Sequence, residues 1–289
     1  MKKQIVGIVV LMLVATTVVS ATNGLNVKEN IQPKPCGANA PVYKVGDSWT
    51  YTWHETDYKY LKNHTRWYTL YHNCTMTMTI TAVSDTNYTE KWTSTNNEGR
   101  AIISKYRFKF TPYTKYTGED IFRKSDLAVW SETQQEKGLA FWLMGNLGFP
   151  MPVRFLQVFN VVFKEPWPYL PFPLNASTHG NLLGGSQTWN EKCTLDWIIK
   201  LFDWPVVNYT WGPIPYNVEM ANVTVPAGTY NAYNVSVDVT YGLGHQHQWR
   251  YYAPEVGNEV KYYSTTDWDD LGNPGEIITT ELVSTTYTP

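Results

Sequence analysis

"TMTMTITAV", residues 75–83, decides the fold class. Met76, Met78, Ile80 and Ala82 alternate with Thr75, Thr77, Thr79 and Thr81. Successive side chains of a strand point to opposite faces, so this strict period of two predicts a β-strand with one apolar and one polar face. The expected product is an antiparallel sheet with one solvated side.

The same period recurs along the chain. In "VYKVGDSWTYTWHE" (42–55), Trp49, Tyr51 and Trp53 share one parity, and Thr50, Thr52 and His54 the other. In "TYNAYNVSVDVTY" (229–241), Tyr233, Val235, Val237, Val239 and Tyr241 oppose Asn234, Ser236, Asp238 and Thr240. "NYTEKWTST" and "RAIISKYRFKF" continue the meander, with Asn96-Asn97-Glu98-Gly99 between them reading as a hairpin loop. "VPAG" (225–228), "YAPEVG" (252–257) and "DDLGNPG" (269–275) read as turns between strands. Helix signals are thin throughout.

From about residue 138 to 175 the chain is apolar and aromatic but broken by Gly145, Gly148, Pro150, Pro152, Pro166, Pro168, Pro171 and Pro173. These breakers exclude a membrane-spanning helix. The segment reads as a long apolar insertion covering the sheet, with Phe155–Phe163 as a strand or short helix. The fold expected is all-β: a single strongly curved antiparallel sheet, or half-barrel, under that insertion, with little helix.

Lys2 and Lys3, the apolar run Ile5–Val19 and the small residues Ser20 and Ala21 read as a secretory signal peptide over residues 1–21, with an uncleaved anchor as the alternative. Residues 22–42 read as a Pro-rich leader and 43–289 as one β domain. Cleavage removes two lysines from a chain of 289 residues whose formal charge is already −2, so the mature protein is acidic. Phosphate neutralisation needs a basic stripe, which excludes nucleic acid as a partner.

Seven sequons, at Asn63, Asn73, Asn87, Asn175, Asn208, Asn222 and Asn234, are about twice what the Ser and Thr content gives by chance, and they fit a glycosylated exterior. Three cysteines in an oxidising compartment predict one disulfide and one spare thiol. Cys74 and Cys193, each at the start of a strand-like segment, form the expected pair, which leaves Cys36 in the leader.

"YKVGDSWTYTW" (43–53), "VTVPAGTYNAYNVSV" (223–237) and "WRYYAPEVGNEVKYYS" (249–264), followed by a final "ELVS" strand, form a set. It resembles secreted prokaryotic β half-barrels of the periplasmic lipoprotein-carrier type. The resemblance covers the opening strand and about the last seventy residues. It implies a curved sheet with a concave apolar face that holds acyl chains or other apolar ligands. Trp49, Tyr51, Trp53, Met76, Met78, Phe155, Phe159 and Trp249 are the candidate lining residues.

Chemical motifs are sparse. Gly184-Gly185-Ser186-Gln187-Thr188 lacks the last glycine of a nucleophile elbow and reads as a turn. His245 and His247, two apart on a strand, present both imidazoles on one face and are candidate zinc or copper ligands. Asp267, Asp269 and Asp270 are candidate calcium ligands in a loop of ordinary turn composition. No catalytic constellation and no cofactor motif is present. The expectation is a secreted or cell-surface, non-catalytic binding protein for an apolar ligand or lipid. The alternative is a glycosylated structural subunit, self-assembling at the surface through strand or apolar-loop contacts.

Overall fold

The structure, a computed structural model, describes residues 37–60, 66–103, 106–110, 114–143, 150–195, 199–241, 244–267 and 274–289. The expected signal peptide, most of the leader including Cys36, and the sequon Asn63 lie outside them.

The period-two segments all become strands. In chain order these are β1 (Ser48–Tyr60), β2 (Arg66–Val83), β3 (Asn87–Ile103), β4 (Tyr106–Phe110) and β5 (Lys115–Arg123). Next come β6 (Val129–Leu143), β7 (Pro150–Trp167), β8 (Thr178–Leu182), β9 (Gly185–Leu195) and β10 (Ile199–Trp211). The last are β11 (Ile214–Val225), β12 (Gly228–Tyr241), β13 (Gly244–Ala253), β14 (Asn258–Asp267) and β15 (Pro274–Thr285). All belong to one antiparallel sheet ordered β10-β9-β7-β6-β4-β3-β2-β1-β15-β14-β13-β12-β11-β8, with β5 bridging β3 and β6.

The sheet is open, with β10 and β8 at its ends, yet it curls on itself. Two residues link β8 to β9 and two link β10 to β11, so the chain passes directly between opposite ends of the strand order. Side chains far apart in that order pack together: Phe159 and Val161 of β7 meet Val235 and Val237 of β12 in one core cluster. A second cluster joins Trp49, Tyr51 and Trp53 of β1, Met76, Met78 and Ile80 of β2, and Val260 and Tyr262 of β14. Burial of these large apolar side chains on the inner face drives the curl.

The turns at 225–228 and 252–257 form where expected, whereas residues 269–273 of the third expected turn lie outside the described residues. Gly228, at φ +145°, opens β12 after Val225, and Gly257, at φ +67°, precedes β14, both in the region that favours glycine. Two turn-like features are instead β-bulges. Asn96-Asn97 is no hairpin loop: it lies inside β3 opposite Cys74 of β2, Asn96 adopts φ +54°, and pairing continues on both sides. A second shift, between Ile80 and Ala82, turns Ala82 out to solvent instead of leaving it with Met76, Met78 and Ile80.

The apolar insertion divides into two parts. Its first half is no cover but the eighteen-residue strand β7, paired with β6 and β9. Pro150, Pro152 and Pro166 stand near the strand's ends, where a missing N–H is tolerated. The remainder lies over the inner face: Leu170 and Leu174 are buried, Phe172 packs edge-on against Tyr252, and Leu174 bridges Ala38 of the leader.

The expected Cys74–Cys193 disulfide is absent. Cys74 carries a free, buried thiol, and the groups beside it are the carboxyls of Glu55 and Glu136. β2 and β9, which carry the two cysteines, are separated by β3, β4, β6 and β7 in the sheet. The side chain of Cys193 lies outside the described residues.

Gly118 of β5 sits directly opposite Trp92 of β3, and a Cβ there would fall inside the indole ring. Gly118→Ala is therefore expected to displace Trp92 and cost about 2–3 kcal/mol of stability, read from the denaturant midpoint. A midpoint equal to that of the unsubstituted protein would show that the indole has room to move.

Candidate functional site

Three of the strands, β1, β6 and β13, carry buried polar residues on their inward parity. On β1 the parity of Trp49, Tyr51 and Trp53 continues into Glu55 and Asp57, both buried. On β6 it presents Glu132, Gln134 and Glu136, and on β13 Gln246, Gln248 and Arg250, all buried. Buried carboxyls need partners or protons, and so many in one interior mark a built environment.

The register aligns three of them. Glu90 of β3 is directly opposite Asp120 of β5, and Asp120 is directly opposite Glu132 of β6. Like charges facing each other across strands repel, so this row does not ionise together without a counter-charge. Burial, then neighbouring Glu259, pushes the Glu90 carboxyl up to about 8. Burial raises Glu132 to about 7 against the opposing hydrogen bond from Tyr169. Burial, with Glu132 and Glu90 alongside, holds Asp120 well above the usual carboxylate range.

The row borders a cavity of about 110 Å³. Tyr51, Trp53, Met78, Trp92, Phe122 and Leu170 supply its apolar and aromatic walls, and Arg250, Asn258, Glu259 and Thr280 further polar lining. Arg250 is the single basic residue among the lining groups. It donates to Glu259 Oε1 at 2.6 Å and to Gln248 Oε1 at 3.3 Å. Its guanidinium lies 4.9 Å from the Tyr169 ring centroid and 4.5 Å from that of Tyr262, a sandwich of cation–π contacts. The Tyr169 hydroxyl donates to Glu132 Oε2 at 3.5 Å, linking the covering segment to the acidic row.

A neighbouring polar group surrounds Cys74. Burial pushes its thiol up, with Glu55 and Glu136 adding to the effect, and burial raises Glu136 itself to about 8 although Tyr116 hydrogen-bonds it. His72 stacks on Tyr116 with ring centroids 4.8 Å apart, and burial lowers it to about 4, so it stays neutral.

The candidate lining residues divide. Tyr51, Trp53 and Met78 border the cavity. Trp49, Met76 and Phe159 face inward but are consumed in packed core. The side chain of Phe155 lies outside the described residues. Trp249 stands on the opposite, outer face with His245 and His247, because Gln246, Gln248 and Arg250 take the inward parity of β13.

His247 Nδ1 is 2.5 Å from Asp238 Oδ1 on β12, an exposed pair. Among the described residues no group of three or more His, Cys, Asp or Glu side chains is placed to hold a metal ion. Asp267 ends β14, whereas Asp269 and Asp270 lie outside the described residues. Of the sequons, Asn73, Asn175, Asn208 and Asn222 are exposed, and Asn87 and Asn234 are half-buried.

Sequence reasoning missed Glu90, Asp120, Glu132, Glu259 and Arg250. The available signal was parity: Glu90 shares that of Tyr88 and Trp92, and Arg250 that of Tyr252. Comparison with known proteins adds nothing to this geometry: no family model matches the chain, nor does any curated protein or solved structure.

Proposed function

We propose that this is a secreted or cell-surface, non-catalytic binding protein that holds a small ligand with an apolar body on the inner face of its curved sheet. The observation that carries this reading is the cavity walled by Tyr51, Trp53, Met78, Trp92, Phe122 and Leu170, with a smaller polar lining that includes Glu90, Asp120, Glu132, Arg250 and Glu259. Concave, mostly apolar sites with a few convergent polar groups are the usual form of small-molecule sites. A volume of about 110 Å³ suits a molecule with a handful of heavy atoms rather than a long acyl chain, since engineered cavities near 150 Å³ accept benzene. The exposed sequons at Asn73, Asn175, Asn208 and Asn222 support an extracellular setting.

Native mass spectrometry of protein purified from its source tests the reading. A reproducible low-mass adduct, released on unfolding, is expected. Repeated preparations of clean monomer that also bind none of the small probes described below would overturn it. Concentration-dependent polymers in the same spectra would favour the structural alternative, which the open sheet ends at β8 and β10 support.

A further inference from the structure

The interior already holds one cation, and its manner of doing so is informative. Arg250 lies between the faces of Tyr169 and Tyr262 and is neutralised by Glu259. That pair leaves Glu90, Asp120 and Glu132 lining the same cavity as the rings of Tyr51, Trp53 and Trp92, with no cation other than the already paired Arg250 among the lining groups. Glu90 is only 4 % exposed and lines the cavity. Asp120 Oδ1 is buried without a partner, although Trp92 hydrogen-bonds the carboxyl. Leaving a buried acceptor unmade is costly, so Asp120 Oδ1, on a carboxyl that borders this aromatic-walled cavity, points to a ligand that supplies a counter-charge there.

We infer that the cavity takes a small alkylammonium cation, with its charge at the Glu90–Asp120–Glu132 row and its methyl or methylene groups against Tyr51, Trp53 and Trp92. This rests on reading the inner face as a binding site. Aromatic faces and carboxylates are the pairing that recognises substituted ammonium groups. A metal ion is disfavoured because the three carboxyls are spread along one row and form no ligand group of the required closeness. A neutral ligand would supply no counter-charge when the row ionises, and an anionic one would oppose that ionisation further.

Entry of the cation replaces protons on the row, so affinity should increase as pH rises from about 6 to 9 and binding should release protons. The other titratable groups facing the cavity are Tyr43, Tyr51, Tyr169, Arg250 and Glu259. Burial raises the three tyrosines well above their usual range, so they stay neutral over this span.

The test compares tetramethylammonium with tert-butanol, a neutral molecule of similar shape, and pivalate, its anionic counterpart. Binding to the purified chain is followed by tryptophan fluorescence and by calorimetry in two buffers of different ionisation enthalpy. Tetramethylammonium should bind at least about tenfold more tightly than either comparator, with proton release, and Glu90→Gln should weaken it about tenfold or more. If tert-butanol or pivalate binds as well as the cation, or if Glu90→Gln folds and leaves cation affinity unchanged, the inference is overturned while the binding reading stands. If none of the three binds and the source protein carries no adduct, both fall. Should Glu90→Gln not fold, the comparison of the three probes on the unsubstituted chain still decides the matter.

Discussion

Thermal stability should fall steeply as pH is raised from about 5 to 9, the reverse of the trend set by surface ion pairs. Glu90 and Glu136 are raised from 4.5 to about 8, Glu132 to about 7, and Asp120 in the same direction, in each case chiefly by burial. A carboxyl raised on folding binds its proton more tightly in the native state. Its contribution is therefore complete below the unfolded value and is lost as pH climbs through the folded one. At about 1.4 kcal/mol per pH unit, each group contributes on the order of a few kcal/mol, and coupling within the row makes their sum less than additive.

Two groups oppose this at the acid end. His72, held neutral and lowered to about 4, loses its contribution as pH falls below 6.5. Asp126, lowered mainly by the Arg123 hydrogen bonds, loses its own as pH falls through its folded value. The maximum is therefore expected near pH 5, with a drop of at least about 4 kcal/mol by pH 9 in chemical denaturation. Replacing Glu90 and Glu136 together with Gln, which cannot ionise, should flatten the profile. A native chain whose stability is level or increasing from pH 5 to 9 would contradict the protonated interior.

The second large effect concerns Arg250. Arg250→Met removes the cation between Tyr169 and Tyr262 and strands Glu259, whose Oε2 already lacks a hydrogen bond. Breaking a buried pair by deleting one partner costs about 3–5 kcal/mol, which for a chain of this size lowers Tm by roughly 10 °C. Arg250→Lys should recover only part of this, because an ammonium does not reproduce the planar stack or the second bond to Gln248. The double variant Arg250→Met with Glu259→Gln should be more stable than the single Arg250→Met, since no charge is left uncompensated. Differential scanning calorimetry of the three variants reads this directly. A single variant within about 1 kcal/mol of the parent would mean that water reaches the pair.

How much of this was written legibly in the chain depends on the range of the interaction. Parity is local, so the inward faces of Trp49–Trp53, Met76–Ile80 and Tyr233–Val239 could be read directly. Parity is also blind to a one-residue bulge, which is why Ala82 and Asn96-Asn97 were misassigned although the pattern around each is regular. Pro150 and Pro152 looked like breakers because nothing local shows that they lie at the start of a strand whose interior, Val153 to Glu165, carries no proline. The acidic row is the extreme case. Glu90, Asp120 and Glu132 are single residues on three ordinary strands, and only the register between β3, β5 and β6 places them side by side.

Pairing of β1 with β15 joins Trp49 to Thr285 and puts the first and last strands together in the middle of the sheet. The ladder is thus complete only once β15 is available, and the loop-closure entropy of everything between β1 and β15 falls on that one junction. Folding is expected to be slow for this reason. β1 waits with an open edge until β15 is made, next to the aromatic residues that later wall the cavity. A helper that shields β1 until β15 is available would suit such a topology.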